Sequence, residues 1–362
     1  MTRARQGEAP QAPCRVLIVD DSALVRRLLA KGLAEDPRIV IVGEAADAYQ
    51  ARDLLVAHEP DVLTLDVEMP RLNGLEFLRA VMAHMPTPTL VISSHTRQSR
   101  RLTMDALAAG AVDVIAKPEA ALGGGFAAQM SDIRARVLAA QGARPARPHA
   151  EADRPASTGA GMPRPRDGGQ RLICVGCSTG GVEALSRIMP HFPPDAPPIL
   201  IVQHMPAGFT APFADRLNAT CAVRVAEACD GDRPERGVAL IAPGGAHHMR
   251  LVRGRGGLAV RLEQGPPINY SRPAVDALFL SAAEVHGRHV SAAVLTGMGR
   301  DGAEGLAAIR DAGGRTCVQD EASSVVFGMP GAAVARGAAE RVLPLDAVPG
   351  FLLAARQGRG TG

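Results

Sequence analysis

Three residues that could form a hydrolytic site stand directly after apolar runs in the second half of the chain. Ser178 lies in the loop GCSTGG behind RLICV, His204 follows PILIVQ, and Asp301 lies in GMGRDG behind VSAAVLT. A serine hydroxyl becomes a nucleophile when an imidazole removes its proton, and a carboxylate fixes the imidazole tautomer. The set predicts acyl transfer with Ser178 as nucleophile, His204 as general base and Asp301 as the partner of the base.

The loop GCSTGG also has a rival interpretation, a glycine loop that binds phosphate at a helix N-terminus. It lacks the Lys-Ser/Thr ending of a P-loop and the G-x-G-x-x-G spacing of a dinucleotide loop. The G-x-S-x-G pattern between strand and helix is typical of a nucleophile elbow, but the order Ser, His, Asp differs from that of α/β-hydrolases. Two alternatives therefore stay open: a triad on a different sheet, or helix caps and a surface histidine.

Other residues with metal-binding or redox side chains are interpreted as structural. His247 and His248 have no carboxylate at ligand spacing and are predicted to be loop residues near the site. Cys174 and Cys177 form a lone C-x-x-C in an apolar run, so we expect core and near-site thiols rather than zinc ligands. All six cysteines are scattered, which is typical of a reduced compartment.

A second constellation of chemical groups lies in the first half of the chain. Asp20 and Asp21 follow the first apolar run, Asp66 ends the third, Ser93 ends the fourth, and Lys117 follows the fifth. Clustered carboxylates are ligands that suit Mg²⁺. A metal ion, an ammonium group and a hydroxyl could together neutralise a phosphoryl group on a central carboxylate. The pattern predicts a phosphorylation site.

Repeated β and α patterns must position both constellations. Near-continuous apolar runs lie at 15–19, 39–45, 61–66, 89–93 and 113–116, with helical patterns at 22–35, 47–57, 73–84 and 99–109. Such strands predict a parallel sheet covered on both faces, with ligand sites at the carboxyl ends of the strands. The pattern returns in the second half, where 258–263 alternates and predicts an antiparallel addition. The predicted fold class is α/β: an N-terminal (βα)5 domain, a linker, and a C-terminal domain with a mostly parallel, doubly wound sheet.

Composition and charge divide the chain of 362 residues into four segments. We predict a disordered tail at 1–13, a first domain at 14–136, a linker rich in Pro, Gly and Ala at 137–169, and a second domain at 170–356. Residues 14–141 hold 14 basic and 16 acidic residues, and residues 170–362 hold 19 basic and 17 acidic residues. The net charges of the two blocks, −2 and +2, therefore nearly cancel. Neither block has the basic excess of a DNA-binding domain.

Several classes of protein are disfavoured by what the chain does not contain. It has no Trp and only two Tyr, which argues against stacking on single-stranded nucleic acid. It has no long apolar run for a membrane helix, and its first thirteen residues lack the apolar stretch of a signal peptide. We therefore expect a cytoplasmic protein that neither inserts into membranes nor binds nucleic acid.

The first block resembles the receiver domain of bacterial response regulators over essentially its whole length. The resemblance implies that Asp66 accepts the phosphoryl group, that Asp20 and Asp21 join it in binding Mg²⁺, and that Ser93 and Lys117 act as the switch hydroxyl and the phosphoryl contact. Receivers often carry an aromatic switch residue three positions before the lysine. Here that residue is Val114, so an aromatic rotamer switch is not expected.

Motifs along the whole chain closely resemble the CheB family of chemotaxis methylesterases. They are LDVEMPR (65–71), GCSTGG (176–181), QHMP (203–206), APG (242–244), RP (272–273), GMGRDG (297–302) and EASSVVFGMP (321–330). Two stretches depart from the family pattern: the loop GGAHHM (244–249) is one residue longer than usual, and NYSR (269–272) varies a stretch on the substrate side. Both bear on substrate fit rather than chemistry.

The resemblance implies a phosphorylation-activated protein-glutamate methylesterase that also deamidates glutamine on the cytoplasmic helices of chemoreceptors. Backbone N–H groups of Met298 and Thr179 would stabilise the oxyanion, and the esterase reaction would need no cofactor. A chemotaxis histidine kinase would supply the phosphoryl group. The unphosphorylated receiver would pack over the catalytic edge. Alternatives are the same hydrolase acting on a non-chemotaxis receptor, a non-catalytic adaptor, and a DNA-binding response regulator, for which no helix-turn-helix is visible.

Overall fold

The apolar runs of both halves form the strands of two separate parallel sheets. The computed structural model describes residues 12–69, 73–94, 96–118, 125–143, 171–254 and 256–354. Most of the predicted tail (1–13) and linker (137–169), together with residues 355–356 of the predicted second domain, lies outside the described residues. Among the residues that are described, no helix is both long and apolar enough to cross a membrane. The predicted α/β fold class is confirmed.

The N-terminal domain is a five-stranded sheet with the order β2-β1-β3-β4-β5, and every neighbouring pair is parallel. Its strands are β1 (Cys14–Val19), β2 (Ile39–Ala45), β3 (Val62–Asp66), β4 (Thr89–Ser93) and β5 (Asp113–Ala116). Its helices are α1 (Ala23–Leu33), α2 (Ala48–His58), α3 (Gly74–His84), α4 (Arg97–Ala108) and α5 (Gly125–Ala140). Successive residues of β1 enter two different apolar clusters, because helices cover both faces of the sheet.

Side-chain caps define where four of these helices begin. Ser22, Asp47, Asn73 and Thr96 each accept hydrogen bonds from backbone N–H groups in the first turn of α1, α2, α3 and α4. Such caps satisfy donors that have no partner within the helix. Ser22 starts α1 directly behind Asp20 and Asp21, which keeps the loop that carries these two residues short.

The fifth helix was not among the helical patterns found in the sequence, and it continues beyond residue 136. Val137 and Ala140 are fully buried in the same cluster as Met130 and Ile133, so this part of the chain packs on the domain. Short alanine side chains weaken the apolar periodicity that a sequence pattern depends on. The packing of Val137 and Ala140 therefore places part of the predicted linker in the N-terminal domain.

The C-terminal domain is a seven-stranded parallel sheet with the order β14-β13-β12-β6-β7-β9-β8. Its strands are β6 (Leu172–Cys177), β7 (Ile199–Gln203), β8 (Arg224–Glu227), β9 (Val238–Ile241), β12 (Val290–Val294), β13 (Arg315–Gln319) and β14 (Arg341–Leu343). Its helices are α6 (Gly181–Ile188), α7 (Thr210–Thr220), α8 (Val275–His286), α9 (Ala303–Asp311), α10 (Gly328–Ala335) and α11 (Val348–Leu353). The strands β12, β6 and β7 are neighbours at the centre of the sheet.

Two strands form a separate antiparallel hairpin, β10 (His247–Gly254) and β11 (Gly257–Gln264). The alternating stretch 258–263 is therefore antiparallel as predicted, but within the described part of the chain it pairs only with β10 and does not extend the main sheet. The prediction that His247 and His248 are loop residues is wrong, because both begin β10. His248 is buried, and its ring accepts a hydrogen bond from Ala274 N–H (3.1 Å) and donates one to Pro266 O (3.0 Å).

The two domains contact each other through α4 and the start of β5. Helix α4 packs against α6 and α7, and one buried apolar cluster is continuous across the boundary. Arg216 of α7 donates to Met104 O at 3.4 Å and lies 3.8 Å from Asp105. The strand β5 reaches the loop behind β6, which brings the N-terminal domain to the predicted catalytic edge.

Candidate active site

The sheet order places the three predicted catalytic residues behind three adjacent strands. Ser178 follows the central strand β6, His204 follows β7 on one side, and Asp301 lies in the loop that follows β12 on the other side. Carboxyl ends of parallel strands share one edge of a sheet, so these residues converge although 123 positions of sequence separate the first from the last. All three are buried, with exposed fractions of 6%, 6% and 2%.

His204 and Asp301 form a direct buried pair. The Nε2 atom of His204 lies 2.9 Å from Oδ2 of Asp301. A carboxylate can only accept a hydrogen bond, so Nε2 carries the proton and Nδ1 of the neutral ring holds the lone pair. The nitrogen that can act as a base is therefore Nδ1.

The carboxylate of Asp301 is held at the N-terminus of α8. It accepts hydrogen bonds from the N–H groups of Val275 (2.6 Å) and Asp276 (3.0 Å), in addition to the bond from His204. Burial by itself would raise the pKa of Asp301. The hydrogen bond from the imidazole, the positive charge of this ring when it is protonated, and the two N–H groups bring that pKa below its usual value. Asp301 thus stays ionised and orients the imidazole.

Ser178 lies in a tight turn between β6 and α6. Its N–H donates to Thr296 O at 3.0 Å, and its carbonyl accepts from Gly181 N–H at 2.7 Å. Gly180 adopts a φ of +79°, in the left-handed region that a side chain disfavours, and begins α6 as its N-cap. The strand, the turn and the helix have the arrangement that the G-x-S-x-G pattern predicts.

The base nitrogen of His204 does not contact Ser178 in this structure. Within the described ranges, no hydrogen bond joins the Ser178 hydroxyl to the imidazole, and Nδ1 instead lies 3.3 Å from the hydroxyl of Ser271. Because Nδ1 holds the lone pair, the Ser271 hydroxyl donates this bond. The structure brings His204 to Asp301 and places Ser178 on the neighbouring strand end, with Ser271 as a competing partner that the sequence did not reveal.

Two backbone donors flank the nucleophile. The N–H groups of Thr179 and Met298 donate no hydrogen bond to any residue that the structure describes. Met298 follows Gly297, where an added Cβ would lie 2.8 Å from Cβ of Ser178, so glycine permits the close approach of this loop. Unpaired N–H groups beside a nucleophile are suited to stabilise an oxyanion.

A further buried carboxylate, that of Asp276, and the side-chain amide of Asn269 lie beside Asp301. Asn269 Nδ2 donates to Asp276 Oδ2 at 2.8 Å and lies 3.4 Å from Asp301 Oδ1, while Asp276 Oδ1 accepts from Gly305 N–H at 2.7 Å. Burial raises the pKa of Asp276 to about 6. The sequence analysis did not identify Asp276, because a single carboxylate among apolar residues has no motif or spacing that marks it as part of a site.

The turn that carries Asn269 also presents an aromatic side chain to solvent. Asn269 and Tyr270 have φ values of +49° and +64°, and Ile268 pairs with Ser271 across them. Tyr270 is fully exposed (100%), directly before the serine that contacts His204. Two consecutive left-handed residues form a tight turn that holds this side chain outward.

The predicted thiol roles agree with the positions of the cysteines. Cys174 and Cys177 are fully buried, and burial raises the pKa of both thiols. Cys177 lies 3.0 Å from the side-chain oxygen of Gln203. Neither thiol has the exposure or the lowered pKa that a reactive cysteine requires.

The phosphorylation-site residues also converge at one edge of their sheet. Ligand oxygens of Asp20, Asp21 and Asp66 lie within 4.8 Å of one another. Lys117 Nζ lies 2.7 Å from Asp66 Oδ2 and 3.0 Å from Asp20 Oδ2. Burial would lower the pKa of Lys117, but the bonds and charges of the two carboxylates raise it, so the side chain stays an ammonium ion.

The donor set at this edge fits a divalent cation. Burial and the neighbouring Asp66 raise the pKa of Asp20 in spite of Lys117. The Oδ2 atom of Asp20 is buried and accepts no hydrogen bond in proper geometry from any described residue, although the ammonium group is near. An under-satisfied oxygen among three carboxylates is what a hard cation would complete.

Among the described residues, the side chain of Ser93 forms no hydrogen bond to the carboxylates or to Lys117. Its hydroxyl is fully buried and bonds to the hydroxyls of Ser99 (2.8 Å) and Thr103 (2.7 Å) on α4. The proposed switch hydroxyl is therefore tied to the helix that packs on the catalytic domain. Val114 is buried in the core.

The fold and these two sites define a two-domain protein, in which a receiver precedes an α/β domain with serine, histidine and aspartate at one edge. Two protein-family models match the chain in agreement with this division. The model of the response regulator receiver domain matches residues 16–122, and the model of the CheB methylesterase matches residues 173–352. The chain belongs to the CheB methylesterase family, and the resemblance found in its motifs is confirmed.

Relatives match almost the full length of the chain. A protein-glutamate methylesterase/protein-glutamine glutaminase of Cereibacter sphaeroides is 54% identical over 98% of this chain and 93% of its own. One of Pseudomonas aeruginosa is 48% identical over 96% and 99%. The solved catalytic domain of the Thermotoga maritima CheB methylesterase is 39% identical, covers 51% of this chain and 97% of its own, and superposes with a TM-score of 0.49.

Proposed function

We propose that this protein hydrolyses the methyl esters of glutamate side chains on the cytoplasmic domains of chemoreceptors, and that it deamidates glutamines there. The observation that carries the proposal is the buried His204–Asp301 pair, whose members follow the two strands on either side of the strand that Ser178 follows. The family membership and the names of the relatives support the substrate class. Such receptors present these side chains in the cytoplasm, so we place the protein there.

The first half of the reaction is the attack of Ser178 on the ester carbonyl. Nδ1 of His204 takes the hydroxyl proton as the Oγ–C bond forms, and Asp301 stabilises the imidazolium through Nε2. For this the ring must give up the Ser271 hydroxyl and receive that of Ser178. The N–H groups of Met298 and Thr179 stabilise the negative charge on the carbonyl oxygen.

Collapse of the tetrahedral intermediate then forms the acyl-enzyme. The imidazolium returns its proton to the methoxide oxygen, methanol leaves, and the acyl group stays on Ser178. Water, deprotonated by the same nitrogen, then attacks the acyl-enzyme and releases a glutamate side chain and the free serine. Glutamine follows the same route with ammonia as the leaving group. The reaction requires no cofactor.

The N-terminal domain regulates this reaction through Asp66. A histidine kinase of the chemotaxis system transfers a phosphoryl group to the Asp66 carboxylate, which Lys117 contacts. Bound Mg²⁺, held by Asp20, Asp21 and Asp66, would neutralise charge on the phosphoryl group. Before phosphorylation the domain packs against the loop behind Ser178, and phosphorylation releases or repositions it.

Receptor membranes carrying labelled methyl esters test both halves of the proposal. Wild-type protein is expected to release labelled methanol, faster with a phosphoryl donor, while Ser178→Ala releases none above background. Asp66→Asn is expected to retain the basal rate and to lose the response to the donor. Near-wild-type release by Ser178→Ala would overturn the catalytic assignment, and equal rates with and without donor would overturn the regulatory one.

A further inference from the structure

Gln203 is the last residue of β7, directly before the proposed general base, and its side chain is fully buried between two catalytic strand ends. Its Nε2 donates hydrogen bonds to the carbonyl oxygens of Ser178 (3.0 Å) and His204 (3.1 Å). One amide group thus joins the main chain of the proposed nucleophile to that of the proposed base.

The orientation of this amide is defined by its other end. Oε1 lies 3.0 Å from Sγ of Cys177, and burial raises the pKa of that thiol, so it stays protonated and donates. The reversed amide would place Oε1 against two carbonyl oxygens, which repel it. Both N–H bonds of Gln203 are therefore directed at the catalytic main chain.

Gly181 makes room for the amide. A Cβ added at Gly181 would lie 2.1 Å from Oε1 of Gln203 and 2.9 Å from Cβ of Cys177. Any side chain at the start of α6 would therefore displace the amide or the helix. The third glycine of GCSTGG, Gly181, is explained by this close approach, which the nucleophile-elbow pattern alone did not require.

The amide acts where the strand ladder stops. The strands β6 and β7 pair in register up to Cys177 and Gln203, and His204 N–H still bonds to Cys177 O at 3.1 Å. Beyond that point the chain behind β6 turns into α6, so main-chain ladder bonds no longer set the distance between the two catalytic residues. The side chain of Gln203 supplies that connection.

We propose that Gln203 is a positioning residue for the hydrolytic reaction, which sets the separation of the Ser178 hydroxyl from Nδ1 of His204. The inference rests on the proposed function, because it assigns a role relative to that nucleophile and base. It adds a residue that contacts neither substrate nor a reacting atom. Small displacements of reacting groups cost large factors in rate, so the loss of this connection should be visible in kcat.

The test uses Gln203→Met in the full-length chain with a phosphoryl donor. We expect kcat for methanol release to fall by about 10- to 100-fold with KM within about twofold, because alignment is lost and receptor binding is not. The rate at which a fluorophosphonate labels Ser178 should fall by the same factor, since that small probe needs no receptor recognition. Gln203→Glu keeps the shape, leaves at least one carbonyl without its donor, and should lose rate similarly.

Thr316→Val is the matched control for stability. Thr316 on β13 is also fully buried, and its hydroxyl also joins two backbone groups, Ala338 O (2.7 Å) and Glu340 N–H (3.1 Å), at the far side of the same sheet. We expect Thr316→Val to lower Tm, as the Gln203 variants should also do. Unlike them, it should keep kcat within about twofold of the wild-type value.

Two results would overturn the inference, and a third would overturn the proposed function instead. If folded Gln203→Met or Gln203→Glu keeps kcat and the labelling rate within about twofold of wild type, Gln203 has no positioning role. If Thr316→Val loses as much kcat at an equal loss of Tm, the effect is one of stability and the inference is wrong. If the wild-type protein neither releases methanol nor is labelled at Ser178, it is the proposed function that fails.

Discussion

Thr179, the residue after the proposed nucleophile, donates its hydroxyl hydrogen across the domain boundary to Oδ2 of Asp113 at 2.8 Å. The same oxygen lies 2.8 Å from Nη1 of Arg136 on α5, and the N–H of Gly180 donates to Val112 O at 3.0 Å. The receiver therefore binds the turn that follows Ser178 directly. Release of that turn requires both bonds to break.

Thr179→Val should weaken inhibition by the receiver, because it removes the hydroxyl and keeps the shape and the backbone N–H. A hydrogen bond to a buried charged group contributes about 1.5–3 kcal/mol, which is about 10- to 150-fold in the equilibrium between docked and released domains. The ratio of methanol release with and without phosphoryl donor is expected to fall towards one. Thr179→Ser keeps the hydroxyl and should keep the ratio. An unchanged ratio in Thr179→Val would show that this bond does not hold the docked state.

Mg²⁺ should stabilise the protein through the three receiver carboxylates. A ligand that binds only the folded state raises Tm, and the under-satisfied Oδ2 of Asp20 provides part of the binding energy. We expect Tm to rise with Mg²⁺ concentration in the wild type and to rise much less in Asp20→Asn. Asp53→Asn, an exposed carboxylate on α2, should respond as the wild type does. An equal rise in all three proteins would exclude the carboxylate cluster as the binding site.

The buried carboxyl of Asp276 should make stability depend on pH in one direction. Its folded-state pKa is raised from 3.8 to about 6, so between these values the folded state binds more protons than the unfolded state. The contribution of Asp276 to the free energy of unfolding is therefore full at low pH and is lost as pH rises through about 6. The unfolding free energy of the wild type minus that of Asp276→Asn should therefore decrease as the pH rises over this window. An increase of this quantity with pH would contradict the assignment.

Tyr270 should contribute to binding of the receptor and not to chemistry. An exposed tyrosine in a tight turn beside the active site loses little entropy on binding and is enriched at interface hot spots. For Tyr270→Ala we expect KM for methylated receptor to rise about 5- to 30-fold, from a loss of about 1–2 kcal/mol. Labelling of Ser178 by a small fluorophosphonate should not change. Tyr49→Ala, which truncates the chain's other tyrosine on α2, is the control, and an equal rise in KM there would remove the assignment.

Much of both sites could be predicted from residues alone, for a physical reason. Short apolar runs predict buried parallel strands, and the residues that follow such strands must meet at one edge of the sheet. That reasoning brought Ser178, His204 and Asp301 together, and likewise Asp20, Asp66 and Lys117. The same reasoning predicts edge strands such as β8 and β14 less well, because these strands are short and partly exposed and so lack a long apolar run. It also missed α5, where alanines blur the periodicity.

By itself, then, the sequence determined the fold class, the strand ends and the types of group at each edge, since these follow from local apolar patterns. The tertiary structure alone decided which nitrogen of His204 faces Asp301, that Ser271 contacts the other, and that Asp113 holds Thr179. Those relationships depend on side-chain orientation and on the docking of two domains. No local periodicity encodes them, because the partners lie 97, 67 and 66 residues apart and meet only when the surrounding elements pack.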